Sequence, residues 1–223
     1  IRGSEYPDEY IVLTAHLDHV GIQNGEIYNG ADDDGSGTVA MLEIAEAFAS
    51  AKELGYSPKR SIVFLHVTAE ERGLLGSQYY ADYEPLVPLN KTIANLNMDM
   101  MGRADPNRGV RNLNYIYIIG SDILSDDLHR INLEANNNYT NLELDFRFND
   151  INDPNQFYYR SDHYHFVKNN IPAIFYFSGV HEDYHQPTDT ADKILYDIYK
   201  KRVKLIFHTA WGLANSEEKI KLK

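Results

Sequence analysis

Three consecutive aspartates, Asp32, Asp33 and Asp34, stand in the run Y-N-G-A-D-D-D-G-S-G-T-V-A from Tyr28 to Ala40. Crowded carboxylates are costly unless positive charge joins them. An acidic turn that caps a helix is the plainer account, and Asp34 or Ser36 would serve as that cap. Ligand-type residues recur, however, at the ends of four apolar β-type runs: His16 and Asp18 in T-A-H-L-D, Glu70 and Glu71 in A-E-E-R-G, Asp99 in N-M-D-M-M-G, and the histidines of H-E-D-Y-H after Phe177. Imidazole and carboxylate donors without sulfur suit zinc in an open catalytic site, with manganese or cobalt as substitutes. Two adjacent glutamates allow one to bind metal while the other stays free as a base.

The elements that must position these residues read as alternating strands and helices. Ile11–Ala15, Ser61–Thr68, Thr92–Met98, Leu113–Gly120 and Ile171–Phe177 are apolar runs of strand length. Helical spacing follows over Thr38–Ala51, in a short stretch ending at Tyr79–Tyr83, from Ser121 or Asp122 to about Asn136, in a short helix capped by Ser161, and over Asp192–Ala214. Residues 21–30, 149–156 and 179–190 read as loops. This alternation predicts an α/β fold, a central mostly parallel mixed β-sheet with helices on both faces. In such sheets function gathers at the C-terminal strand ends, where the candidate ligands fall. No G-x-G-x-x-G follows the first strand and no G-x-x-x-x-G-K occurs, so nucleotide binding has no support.

Composition narrows the classes further. The chain of 223 residues is expected to be a single domain over 1–223, with 43% hydrophobic and 24% charged residues. Its formal net charge of −12 argues against nucleic acid or anionic membrane as a partner. No apolar run approaches the roughly 20 residues of a membrane span. There is no cysteine, which removes disulfides, thiolate metal sites and cysteine nucleophiles. The first residue is Ile1, so a processed form or a domain excised from a longer chain is expected, and the expected location is secreted, periplasmic or cell-envelope. The sequence carries no information on oligomeric state.

Five separated motifs resemble those of the M28 family of metallopeptidases, of the bacterial aminopeptidase and aminopeptidase Y type: A-H-L-D, N-G-A-D-D-D-G-S-G, A-E-E-R-G-L-L-G-S, N-M-D-M-M-G and Y-H-Q-P-T-D-T. With S-D-H they span Ala15–Thr190 in the family's order. The resemblance implies a zinc-exopeptidase architecture and a centre of two Zn2+ ions. His16 and Asp99 would bind one ion and Glu71 and His185 the other, with Asp33 bridging them. Asp18 would accept the remaining imidazole N–H of His16, Glu70 would be the general base and acid, and Tyr184 would hydrogen-bond the reacting carbonyl. Asp162 would belong to the supporting residues, and the peptide between Asp33 and Asp34 would be cis. Where many relatives carry Asn, this chain has Asp34. The implied reaction is removal of N-terminal residues from peptides by an aminopeptidase.

Other readings of the same residues stay in view. A carboxypeptidase or dipeptidase would need a cation for the substrate carboxylate, for which Arg103 and Arg160 are candidates. A single-zinc glutaminyl cyclase would not need both His16 and Asp99, and an inactive binding module should lack a ligand or the base. H-E-D-Y-H from His181 to His185 matches the H-E-x-x-H signature of another zinc-protease class, which requires a helix. Between Gly179 and Pro187 a loop is expected instead, with only His185 on metal, Glu182 no base and His181 at most at the cleft rim. His19 reads as a loop residue, His66 as a core residue, and His129 and His208 as structural. His163 and His165 are candidates for the cleft, and Phe157–Tyr159 either line a pocket or pack on the sheet.

Overall fold

The apolar run at Ile11–Ala15 is the inner part of a longer strand, β1 (Tyr6–His16), whose last six residues are buried. Such a strand reads as continuously apolar because both of its faces are covered. The structure, a computed structural model, describes residues 1–108 and 112–223. After β1 come a two-stranded ribbon, β2 (Ile22–Gln23) and β3 (Glu26–Ile27), then α1 (Gly35–Glu53), β4 (Arg60–Val67), α2 (Leu75–Asp82), β5 (Thr92–Met98) and β6 (Tyr115–Ile119). The remainder is α3 (Asp126–Tyr139), β7 (Glu143–Asp145), α4 (His163–Lys168), β8 (Ala173–Phe177) and α5 (Tyr196–Asn215).

Six strands form one mixed sheet in the order β4-β1-β5-β8-β6-β7. β4, β1, β5 and β8 run parallel, and β6 joins β8 antiparallel. Alternating side chains sort the two faces. Ile11, Leu13 and Ala15 of β1 pack with Ala40, Met41, Ile44 and Phe48 of α1 and with apolar residues of α3 and α5. Val12 faces the other way, onto Tyr80 of α2 and Phe166 of α4. Helices therefore cover both faces, as the alternation predicts. Among the described residues no helix is long and apolar enough to cross a membrane.

Several boundaries differ from the sequence reading for identifiable reasons. The stretch expected as loop before Gly30 contains the β2–β3 ribbon. α1 begins at Gly35 because Asp34 caps it, its Oδ1 accepting from Gly37 N at 2.9 Å. α3 begins later than expected, because its cap is Ser125 and the Ser121 hydroxyl is engaged with His129 Nδ1 at 2.8 Å. Ser161 does not cap α4 with its side chain, since that hydroxyl is drawn to Asp99. α5 begins at Tyr196, preceded by a separate 3-10 turn at Ala191–Lys193. β7 has no clear signal in the sequence.

The loop that follows β5 is tied down by a buried cation. Arg202 of α5 is fully buried and donates from Nη1 to the carbonyls of Met101 (2.7 Å) and Arg103 (2.6 Å), and from Nε to that of Tyr115 (2.9 Å). Its planar fork suits three acceptors that no ammonium could reach together. Arg202→Leu should strand these carbonyls and lower stability by at least about 3 kcal/mol, with Arg202→Lys recovering only part. Denaturant midpoints of the three proteins check this, and an unchanged midpoint for Arg202→Leu would refute it.

Candidate metal centre

Four neighbouring strands deliver their C-terminal ends to one place. His16 is the last residue of β1, Glu70 and Glu71 follow β4, Asp99 follows β5, and His181–His185 follow β8. The acidic turn enters from the start of α1, and the Asp33–Asp34 peptide is cis, as the resemblance implies. All three aspartates are buried, and each has a different environment.

Asp34 faces backbone. Its Oδ1 accepts from Gly37 N and from Met100 N (3.2 Å), and its Oδ2 accepts from His16 N (3.1 Å). One carboxylate thus joins the end of β1, the start of α1 and the loop after β5. Asp32 accepts from Gly102 N and lies 3.1 Å from His181 Nε2. Asp189 Oδ2 accepts the N–H groups of both Asp32 and Asp33.

Asp33 has no such donor for its side chain and points into the cleft. Its Oδ1 is 3.3 Å from His16 Nε2, and its Oδ2 is 3.0 Å from His185 Nε2. Around it are two donor sets, His16–Asp33–Asp99 and His19–Asp33–Glu71, each close enough to share one ion. His185 Nε2 is also 3.0 Å from Glu71 Oε2, so it adjoins the second set at both of its carboxylates. Buried and without a hydrogen-bond partner are His16 Nε2, both His19 nitrogens, Asp33 Oδ2 and Glu71 Oε1. Close but unaligned donors converging on a point are what a cation would satisfy.

The neighbouring bonds orient these groups. His16 Nδ1 lies 2.9 Å from the Asp18 carbonyl, which can only accept, so Nδ1 carries a proton and Nε2 is the nitrogen turned to Asp33 and Asp99. The resemblance implies the Asp18 carboxylate in that role, but its Oδ1 is 3.8 Å from His16 Nδ1, beyond a hydrogen bond, and its two oxygens accept from Glu70 N (3.1 Å) and Glu71 N (3.3 Å). Asp18 therefore positions the two glutamates. Asp99 Oδ2 accepts from the Ser161 hydroxyl at 2.7 Å, which in turn accepts from Asn97 Nδ2. Asp162 is buried beside this chain with neither oxygen partnered, and burial above all, with Asp99 nearby, pushes it up to about 7.

Electrostatics fit divalent cations. Burial favours the neutral His16, but the carboxylates of Asp33 and Asp99 outweigh it and draw a proton onto the ring. Contacts with Asp33 and Glu71 push His185 up to about 10. Burial opposes the charge on Asp33, yet His16 and His185 hold it well below the usual carboxylate range. The carboxylates that draw protons onto these rings would equally draw divalent cations between them. Glu70 belongs to neither donor set. Its Oε2 is 3.9 Å from His16 Nε2, and burial followed by the charge of Asp99 pushes it up to about 9.

The cleft beside Asp33, Glu70 and Asp99 is closed by Met100, Phe157, Phe177 and Val180, with Tyr184 and Arg160 also on its wall. The Tyr184 ring stacks on His185 at 3.9 Å between centroids, and its hydroxyl is raised by burial first and then by Asp33. Arg160 is thus at the cleft, whereas Arg103 is not on that wall and donates to Asp183 at 3.0 Å. His163 is away from the cleft wall, donating from Nε2 to the Tyr158 carbonyl, with burial pushing it down to about 3. His165 does not line the cleft either.

Two histidines depart from the sequence reading. His19, read as a loop residue, has Nδ1 2.9 Å from Glu71 Oε1. His181 does not lie at the rim: it is buried against Asp32. The segment His181–His185 is a turn, as expected, so the two imidazoles serve different partners. The H-x-D-H spacing is the one sequence signal that could have found His19.

Residues 1–210 match the profile of peptidase family M28. The chain belongs to this family. It is 34% identical over 178 residues to a "probable leucine aminopeptidase 2" of Aspergillus oryzae, covering 78% of this chain and 31% of that protein. It is 33% identical over 99 residues to a "Probable glutamate carboxypeptidase" of Arabidopsis thaliana, covering 44% of this chain and 14% of that one. The structure of the LapA aminopeptidase of Legionella pneumophila superposes with a TM-score of 0.75 at 27% identity, covering 94% of this chain and 52% of the other. The chain thus spans less than a third of these curated relatives and about half of that solved structure.

The geometry separates the two histidines of H-E-D-Y-H by experiment. His185→Ala should lose one metal ion per chain. His181→Ala should keep the metal content of the unaltered chain while losing roughly 3 kcal/mol of stability, because it leaves Asp32 buried without its imidazole. Metal analysis and denaturation of each variant check this, and equal metal loss from the two would contradict it.

Proposed function

We propose that this M28 domain is a two-zinc exopeptidase that acts as an aminopeptidase, with His16, Asp33 and Asp99 holding one ion and Asp33, Glu71 and His185 the other. The observation that carries this reading is Asp33, whose two oxygens face two donor sets while Glu70 stays outside both. Zinc bound there would supply an electrophile for the scissile carbonyl and acidify a water near neutral pH. Manganese or cobalt would serve the same donors.

The chain's own groups do the rest. Glu70, buried beside His16 and Asp99, takes the proton of the attacking water and returns it to the leaving amine. A carboxyl already pushed up by burial holds a proton long enough to deliver it, and positive charge nearby restores its basic form. The Tyr184 hydroxyl, kept protonated by burial, donates to the oxygen that becomes negative. Asp18 holds Glu70 and Glu71 by their backbone N–H groups, so base and ligand keep one register. The apolar wall of Phe157, Phe177 and Val180 suits an uncharged side chain at the peptide's end and keeps water away from it. A carboxypeptidase reading is supported by Arg160 on the cleft wall, and substrate choice separates the two.

Glu70→Gln should keep metal near two ions per chain and lower turnover by at least about 10²-fold. Retained activity, or loss of metal, would remove Glu70 from the base's role. The protein should hydrolyse free-amine aminoacyl substrates, lose that activity to a chelator and regain it with zinc. If it cut N-blocked peptides at their C-terminal residue instead, the carboxypeptidase reading would replace this one.

A further inference from the structure

Two imidazoles face the Glu71 side of the bridging aspartate. His19 Nδ1 is 2.9 Å from Glu71 Oε1, and His185 Nε2 is 3.0 Å from Glu71 Oε2. His19 Nδ1 is also 3.9 Å from Asp33 Oδ2, the oxygen that faces His185. Zinc bonds of 2.0–2.2 Å place adjacent donors about 3 Å apart and opposed donors about 4 Å apart. His19, Asp33 and Glu71 therefore already stand at the separations of ligands around one ion, with His185 3.0 Å from both carboxylates.

The state of the ring points the same way. The His19 side chain is nine-tenths buried, and neither nitrogen has a hydrogen-bond partner. A buried imidazole with both nitrogens unpartnered is costly unless something unseen satisfies it. Its orientation is fixed by Gly30, where an added Cβ would lie 2.6 Å from the His19 Cγ. The ring meets that of His185 edge to face at 5.7 Å, so the two imidazoles converge on Glu71 and Asp33 from different directions.

We infer that His19 is a sixth protein ligand of the centre, binding through Nδ1 the ion held by Asp33, Glu71 and His185. The inference rests on the two-ion reading above. It makes the two sites unequal: one ion has His16, Asp33 and Asp99, while the other has two imidazoles and two carboxylates. The second ion is then the more tightly held by protein and keeps fewer open positions.

The test is metal binding, read without turnover. In His19→Ala, competition with a chromogenic chelator should show one zinc bound at least about 10-fold more weakly and the other unchanged. Cobalt-loaded His19→Ala should show an altered visible d–d spectrum, because the coordination of one ion has changed. His19→Gln offers Glu71 an amide donor in place of the imidazole and should behave like His19→Ala. Wild-type affinity for both ions with an unaltered cobalt spectrum would overturn the assignment. So would full recovery in His19→Gln, which would leave His19 as a hydrogen-bond partner only. Should the variants fail to fold, zinc-edge X-ray absorption of the unaltered chain decides, with three imidazoles expected across two ions and two refuting His19. An unaltered chain that binds fewer than two ions would bring down the two-ion reading itself.

Discussion

Three buried carboxylates in consecutive positions are the constraint on which the rest of this structure depends. No single environment can satisfy all three, so the turn distributes them. Asp34 takes backbone N–H groups from His16, Gly37 and Met100, and Asp32 takes Gly102 N–H and the imidazole of His181. Asp33 is left facing histidines and further carboxylates. Each of the first two arrangements pins backbone from distant parts of the chain, so the turn that exposes Asp33 also fixes what surrounds it. The negative charge left around Asp33 pulls His16 and His185 towards their charged forms.

The sheet supplies the rest of the geometry. Four parallel strands side by side, β4, β1, β5 and β8, end at one level and bring donors from four loops within reach of one another. Helices cover both faces of these strands, and polar side chains run along the buried face as well. Asn95 Nδ2 donates to the Thr14 hydroxyl, which donates to Asn97 Oδ1, and Asn97 Nδ2 donates to Ser161 on its way to Asp99. Arg202 performs the corresponding task for the loop beyond Asp99, from the opposite end of the sequence. The site is thus held by hydrogen bonds that reach deep into the core.

Much of this was legible from residue types alone. β5 has the predicted bounds, and the alternation of strands and helices gave the layering, because fully buried strands leave unbroken apolar runs. The candidate ligands stood out because carboxylates and imidazoles repeat at strand ends. What stayed hidden depends on contacts between distant residues. His19 looked like any loop residue until the approach of Gly30 and Glu71 turned its ring inward. His181 is buried because Asp32, 149 residues earlier in sequence, needs it. Ser161 has the chemistry of a cap, but Asp99 competes for its hydroxyl and wins. Asp18 keeps its place in the site with its carboxylate turned to the backbone of Glu70 and Glu71, a choice that spacing cannot reveal.

The central claim is that Asp33 joins two ion sites, and its most direct test is a calorimetric zinc titration of the metal-free chain beside Asp33→Ala, with circular dichroism confirming that both are folded. The account predicts two zinc ions per unaltered chain and weakened binding of both in the variant, because one oxygen of Asp33 faces each donor set. An unaltered chain that saturates with a single ion, or an Asp33→Ala chain that still binds two at full strength, would contradict it.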